Sequence, residues 1–405
     1  MGGMSEHEII THIHTEASSG EASALDRLVT ESTRSVLGPD YESRWKECFN
    51  TPADVCRSLM PGGTVSMVFL TDHVNEKYHR HNDEAVALAA ADPRVAVGAE
   101  VQTFWRGGHD EVFGAPEVLV YGRSEPSESG GRRFFGISQE DLDILFRECS
   151  VDETGRADIF QVRDYCLLNS YAHALAHPFD GSRLPLPALL DVISSFRFVE
   201  TVNGGFPADS SLRLSLFVSW FNKAAEGLIE EGSLSSDLLR AQARKARDRG
   251  PIHPWGGSDA HAENHDRVVV VYRTEKEHPT AGNLFADMVG RGVSDLLAAR
   301  TFTISGKPAT PMRLLDDVAR IAYQNVLNHM DLIRATPRLL EFVSKLQAVT
   351  TGEIRQRRAR KKGLVRSFDE TVGGEVRLGL RQARMQILRR NGPPLGQTSL
   401  PDRRP

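Results

Sequence analysis

The sequence predicts an α/β fold: a barrel of strands and helices followed by a mainly helical C-terminal extension. Three observations predict it. Between residues 9 and 304, short apolar runs of strand character alternate with amphipathic stretches of helical period, the pattern of a parallel α/β sheet. Polar residues able to bind a metal stand at the C-terminal ends of many different strand runs, and in a barrel those ends converge on one pocket. No Gly-x-Gly-x-x-Gly follows the first run, which counts against an open dinucleotide-binding sheet.

The first strand reads Ile9-Ile10-Thr11-His12-Ile13-His14-Thr15. Side chains repeat every second residue on a strand, so His12 and His14 share a face and their imidazoles can bind one metal ion. A small-residue loop, 16–20, leads to helical patterns over 22–36 and 41–60, interrupted by Gly38-Pro39-Asp40 and ended by Pro61-Gly62-Gly63. The uninterrupted apolar run 65–70 predicts a buried parallel strand, stopping at Thr71-Asp72-His73. A helix over 82–91 precedes a strand over 94–101 that carries Gly98-Ala99-Glu100 at its end. Residues 104–115, with Arg106 and His109, are glycine-rich and predict a loop; 117–121 predicts a short strand, and the polar 123–133 a surface excursion.

Helices are then predicted over 139–149 and 159–170, and a strand over 172–176 delivers His177-Pro178. A helix over 187–195 and a strand over 196–202 lead to Asn203-Gly204-Gly205. Two helices, 212–230 and 238–249, precede the strand 252–257 and its terminus Ser258-Asp259-Ala260-His261. A strand over 267–272, a helix over 281–289 and a strand over 301–304 complete the alternation. The organisation expected is therefore a barrel domain over 1–308, a helical extension with a basic segment over 309–390, and a disordered tail over 391–405 containing Pro393-Pro394 and Pro401.

Bulk properties narrow the class. The chain has 405 residues, 40% hydrophobic and 25% charged, the balance of a soluble globular protein. No apolar run approaches the roughly 20 residues that cross a bilayer, and the N-terminus lacks the regions of a secretory signal. Cys48, Cys56, Cys149 and Cys166 form no CxxC pair and read as reduced, buried thiols, so the compartment expected is the cytoplasm. Charge is uneven: residues 353–405 hold 14 Lys/Arg against 5 Asp/Glu, which leaves −14 on the first 352. An acidic body suits a binder of cations, and a basic tail suits an anionic partner or a solvated helix face.

The strand ends collect His12, His14, His73, Glu100, His177, Asp259 and His261. Imidazole and carboxylate ligands in this mixture suit Zn²⁺, Mn²⁺ or Fe²⁺, and the absence of Cys ligands argues against a closed structural zinc site. The segments that carry these residues are His12-Ile13-His14-Thr15, Thr71-Asp72-His73, Gly98-Ala99-Glu100, Ala176-His177-Pro178 and Gly257-Ser258-Asp259-Ala260-His261. In their order and spacing they resemble the polymerase-and-histidinol-phosphatase (PHP) family of metal-dependent phosphoesterases, over residues 9 to about 265.

The resemblance implies a distorted (β/α)7 barrel, two or three divalent metal ions, those seven residues as ligands and Glu100 as a bridge between ions. Two departures stand out. The segment after the His pair, which in the family supplies an acid or a His, is Ser18-Ser19-Gly20 here; and where the family places a His before the short strand stands Glu117. Glu117, or His109 from the loop, is the replacement ligand expected.

The chemistry follows from such ligands. A water shared between two cations loses a proton near neutral pH and can attack phosphorus in line, while the cations neutralise the phosphate oxygens. Asp259 is expected both to bind metal and to take or relay the proton. Arg106, Arg183, Arg267 and Asn203 follow predicted strand ends and are the candidate phosphate-binding groups. The function expected is a hydrolase of a phosphomonoester, a small phosphorylated metabolite or nucleotide. A nuclease using the basic C-terminal segment is the alternative enzyme, although the body is acidic and no aromatic series interleaves the charges. A third reading is a metal-binding scaffold without catalysis.

Overall fold

The computed structural model describes residues 4–18, 34, 48–60, 65–108, 111–205, 208–260, 268–290 and 301–306. Further on it describes residues 320, 321, 323–325, 327, 348, 352, 355, 356 and 359–391. The fold is mixed α/β, and its main sheet is barrel-shaped and nearly closed. Strands β1 (Ser5–Ile13), β2 (Val65–Val74) and β3 (Val95–Val101) are parallel neighbours. So are β10 (Ala172–Leu175), β11 (Phe198–Asn203) and β12 (His253–Gly257). Between the two sets lies β6 (Val118–Gly122), antiparallel to both β3 and β10. A parallel bridge between Ile13 and Ala260 joins the end of β1 to the chain leaving β12, which brings the path almost full circle.

The reversal of β6 has a local cause. Within the stretch expected as a loop, β4 (Thr103–Arg106) and β5 (Val112–Gly114) pair antiparallel, which returns the chain to the end of the barrel it has just left. The next strand must therefore run backwards, and the sheet is mixed where the alternation predicted parallel strands. The polar excursion at 123–133 likewise contains a hairpin, β7 (Ser127–Ser129) with β8 (Arg132–Gly136). The two-residue ladder of β9 (Ala157–Asp158) extends the β4–β5 pair. Strands β13 (Val268–Thr274) and β14 (Phe302–Gly306) add antiparallel ribs outside β1.

Period-two alternation sorts the core. Met67 and Phe69 of β2, Leu119 and Tyr121 of β6, Ala172 and Ala174 of β10, Phe198, Trp255 and Val270 pack together as the inner layer. Helix α9 (Ala281–Gly290) supplies Leu284 and Phe285 to this layer and closes the end where β3 begins, Ala281 N–H donating to Pro93 O at 3.0 Å. On the outer face Ile10, Ile13, Val68 and Leu70 meet α1 (Pro52–Leu59) and α2 (Asp83–Ala91). Both helices start on side-chain caps, Thr51 and Asn82; the helix expected over 41–60 starts only at Pro52, since residues 48–51 are not helical and Thr51 caps the turn that follows.

A larger outer layer packs α3 (Gln139–Glu148), α4 (Ile159–Leu168), α6 (Leu186–Ile193), α7 (Ala208–Ala225) and α8 (Asp237–Arg249) against the other strands. The short α5 (Pro178–Gly181) follows His177. The C-terminal helix belongs to that same layer. Helical residues 359–368, a π-turn (Asp369–Gly373) and α10 (Gly374–Asn391) bury Phe368, Val372, Val376 and Ala383 beside Phe217 and Trp220 of α7. Arg213 holds Asp369 at 2.7 Å, and Lys361 of the basic segment pairs with Asp180, whose side chain is 6% exposed. Among the described residues no helix is long and apolar enough to cross a membrane.

Candidate metal centre

Alternation that lines the closed end with apolar groups lines the open end with ligands. On β2 the inward series Met67, Phe69 continues through Thr71 to His73; on β3 Ala96 continues through Gly98 to Glu100. Phe198 leads to Glu200 on β11, and Trp255 to Gly257 and Asp259 past β12. Because β6 runs backwards, its inward series starts at the open end, with Glu117 ahead of Leu119 and Tyr121. Glu117 thus enters the site from the beginning of a strand, while the other ligands come from strand ends.

Strand β1 needs a further device. Ile9 faces inward, whereas Ile10 and Ile13, an odd number of residues apart, both face the outer helices. The ladder with β2 slips between Ile10 and Ile13. Such an irregularity inverts the alternation and re-aims the side chains after it, so His12 and His14 both turn inward and are fully buried.

The atoms converge tightly. His12 Nε2 and His14 Nε2 lie 3.2 Å apart, and Glu100 Oε2 is 3.1 Å from the first and 3.3 Å from the second. His73 Nδ1 is 3.0 Å from the same oxygen, and His177 Nε2 is 3.0 Å from Glu100 Oε1. Asp259 Oδ1 stands 3.2 Å from His14 Nε2 and 3.6 Å from His12 Nε2. Glu117 completes the set at 3.9 Å from His73 and 3.7 Å from His177. Three overlapping groups each have ligand atoms within 4.8 Å of one another: His12–His14–Glu100, His12–His177–Asp259 and His73–Glu100–Glu117. Glu100 belongs to two of them, as a bridging carboxylate would. Glu117 and His73, with side chains 19% and 10% exposed, mark the open side of the cluster.

The other nitrogen of each strand-β1 imidazole has an acceptor. His12 Nδ1 is 3.0 Å from Glu200 Oε1. His14 Nδ1 is 2.8 Å from Ser18 Oγ, whose own proton goes to Asp72 Oδ1 at 2.9 Å; Ser18 therefore accepts from His14, and also from His73 N–H at 3.1 Å. Asp72 in turn accepts from Thr15 N–H and Thr15 Oγ1 at 2.6 and 2.7 Å. The segment that lacks an acid after the His pair thus reaches one through Ser18. Both imidazoles carry their proton on Nδ1, so in their neutral forms two bare Nε2 lone pairs face each other and the Glu100 carboxylate. In those neutral forms the converging atoms are acceptors, a set that fits a cation.

Electrostatics agree with this fit. Burial pushes His12 to lose its proton, yet Glu100, Glu200 and Asp259 outweigh burial and hold its pKa well above the usual imidazole value. Burial opposes protonation of His177 as well, but Glu100 and Asp259 raise its pKa to about 10. Glu100 is held well below the usual carboxylate range: burial works against its ionised form, and His12 and His73 overcome burial. Burial and the neighbouring charge of Glu100 push Glu117 upward. The carboxylates draw positive charge into the cluster, whether as protons on His12 and His177 or as a bound cation.

Of the residues singled out in the sequence, His12, His14, His73, Glu100, Glu117, His177 and Asp259 meet in one cluster. His261, His109 and Arg267 lie outside the described residues. Asn203 sits inside the barrel, but its amide donates to Glu200 Oε2 at 2.9 Å and to Asp259 Oδ2 at 3.2 Å, which makes it a holder of carboxylates. Arg106 is exposed at the end of β4, over the Phe104 ring, and Arg183 is exposed beside Gly114.

Sequence reasoning missed Glu200, Ser18 and the supporting role of Asp72. For Glu200 a signal existed, since it is the lone charge in the strand Phe198-Val199-Glu200-Thr201-Val202 and falls on its inward face. Compared with family models, curated proteins and solved structures, the chain has no match.

Proposed function

We propose that the chain is a metal-dependent phosphoesterase of PHP type, hydrolysing a phosphomonoester of a small metabolite or nucleotide, and that its mixed barrel is a distorted member of the (β/α)7 class. One observation carries the reading. Two imidazole Nε2 atoms stand 3.2 Å apart, each with its Nδ1 proton already engaged, against Glu100 and Asp259. The order of the five ligand segments along the chain supports it.

On this reading His12, His14, His73, Glu100, Glu117, His177 and Asp259 hold two or three Zn²⁺, Mn²⁺ or Fe²⁺ ions. When bound, such ions lower the pKa of water and neutralise phosphate oxygens as charge builds. The chain's own residues do the rest. Glu100 spans neighbouring positions with its two oxygens, and the Ser18–Asp72 chain keeps the His14 ring from turning. Asp259 takes a left-handed backbone conformation, φ +48°, fixed by its N–H donating to His12 O at 2.8 Å. That places its carboxylate between the His pair and Asn203, where it can accept a proton from attacking water and pass it on. The apolar inner layer closes the pocket from below and excludes other water.

Of the described basic residues near the C-terminus, Lys361 pairs with Asp180, Arg366 with Glu370 and Arg377 with Asp369. The Lys361 pair, which ties the segment to the barrel layer, favours packing of the helix over capture of a nucleic acid. The test is direct. Protein purified gently and incubated with Mn²⁺ or Zn²⁺ should retain two or more ions per chain, melt at a higher temperature than the chelated form, and hydrolyse an aryl phosphate, with Asp259→Asn inactive. Protein that retains no ion overturns the proposal, and so does an Asp259→Asn variant as active as wild type.

A further inference from the structure

We propose that Glu200 is the positioning residue of this cluster: it selects the tautomer of His12 and seats His177, and so sets the affinity for a divalent ion. The inference rests on the metal reading above and extends it to a residue that reaches the cluster only through others. Glu200 is 1% exposed, on the inner wall below the ligands. It belongs to none of the ligand groups that converge within 4.8 Å among the described residues. Its two oxygens are instead committed to three donors. Oε1 faces His12 Nδ1 at 3.0 Å; Oε2 accepts from His177 N–H and from Asn203 Nδ2, both at 2.9 Å.

The orientation of each donor is determined. A backbone N–H can only donate. Asn203 Oδ1 accepts from Gly205 N–H at 2.7 Å, so the Asn203 amide must present its NH₂ to Glu200. Oε2 is therefore an acceptor twice over and carries no proton. Imidazole is more basic than carboxylate, so the proton shared with Oε1 sits on Nδ1, and in the neutral, ion-binding ring Nε2 is left bare toward the ligand cluster. One carboxylate thus ties a ligand from β1, the backbone of a second ligand after β10, and the Asn203 side chain that also holds Asp259 at 3.2 Å.

An amide of the same shape cannot replace it. If Gln at 200 turned its NH₂ toward His12, Nδ1 would have to accept, and the proton would move to Nε2, where the ion binds. If it turned its NH₂ the other way, three donors would face one another. Glu200→Gln therefore changes the cluster in either orientation while leaving size and packing alone.

The experiment measures Mn²⁺ affinity of metal-stripped full-length protein by competition with a chromophoric chelator, with circular dichroism of the stripped proteins as the control for folding. Glu200→Gln should bind Mn²⁺ about ten- to a hundred-fold more weakly than wild type, with an unchanged spectrum. Equal affinity in the two proteins overturns the positioning role and leaves the metal reading standing. A wild type that binds no Mn²⁺ overturns the metal reading itself. Should the variant not fold, ¹⁵N spectra of the His12 ring in Zn²⁺-loaded wild type decide. A protonated Nδ1 with a metal-shifted Nε2 supports the proposal, and coordination through Nδ1 overturns it.

Discussion

Gly257→Ala is the smallest substitution expected to damage this protein severely. Gly257 is the inward residue of β12 between Trp255 and Asp259, and a Cβ there would overlap Glu200 Oε1 outright and stand 2.8 Å from His12 Cβ. The cause is space, and no unusual backbone conformation is involved. Two escapes exist. Glu200 can swing away, giving up between one and three hydrogen bonds to a charged group at about 1.5–3 kcal/mol each, a loss of roughly 2–9 kcal/mol. Alternatively β12 can shift outward at an overpacking cost of about 1–3 kcal/mol.

The chain will take the cheaper route, so the expected loss is about 1–3 kcal/mol, a sizeable share of a typical stability of about 5–15 kcal/mol. Equilibrium urea unfolding of the metal-free variant, followed by tryptophan fluorescence, measures it, with buried Trp255 two residues away as a reporter. A transition within about 0.5 kcal/mol of wild type would refute the packing argument, because it would mean that Glu200 does not occupy the space against β12.

Two more outcomes follow from the packing. Phe368→Ala removes a fully buried ring that meets Phe179 edge-on, centroids 6.0 Å apart, and should cost about 3–5 kcal/mol in the same unfolding assay; a loss below about 1 kcal/mol would mean the C-terminal helix does not share the core. Burial pushes the thiols of Cys48, Cys56 and Cys149 up to about 12, 11 and 12, and Cys166 further still, so a thiol reagent at pH 7.5 should react fast with none of them until the protein unfolds. Rapid stoichiometric labelling of Cys166 would contradict this. The sign of the linked stability is set by the same shifts: the folded thiols stay neutral, so their contribution is complete below the unfolded value of about 8.5 and drains as pH rises toward 12.

The sequence by itself determined what depends on neighbours along the chain. Apolar runs that stop at polar residues mark β2, β3, β11 and β12 and put His73, Glu100 and Asp259 at or just past strand ends. The helix over 82–91 starts where the sequence puts it, on the Asn82 cap. Those signals are local, so six of the clustered residues, His12, His14, His73, Glu100, His177 and Asp259, could be read from residue type and place in a strand, whereas Glu117 entered only through the family resemblance.

Tertiary structure decided the rest. The slip between Ile10 and Ile13 inverts an alternation that in the sequence looks regular. The antiparallel pair of β4 and β5 reverses β6 and delivers Glu117 from a strand's beginning. Glu200 meets His12 across 188 residues, and Ser18 carries His14 to Asp72 across 54. Strand order and register make these contacts, through hydrogen bonds between segments far apart in the chain, and no local periodicity encodes which strand lies beside which. The chain's pattern therefore shows which side chains face inward, and only the assembled sheet shows which of them touch.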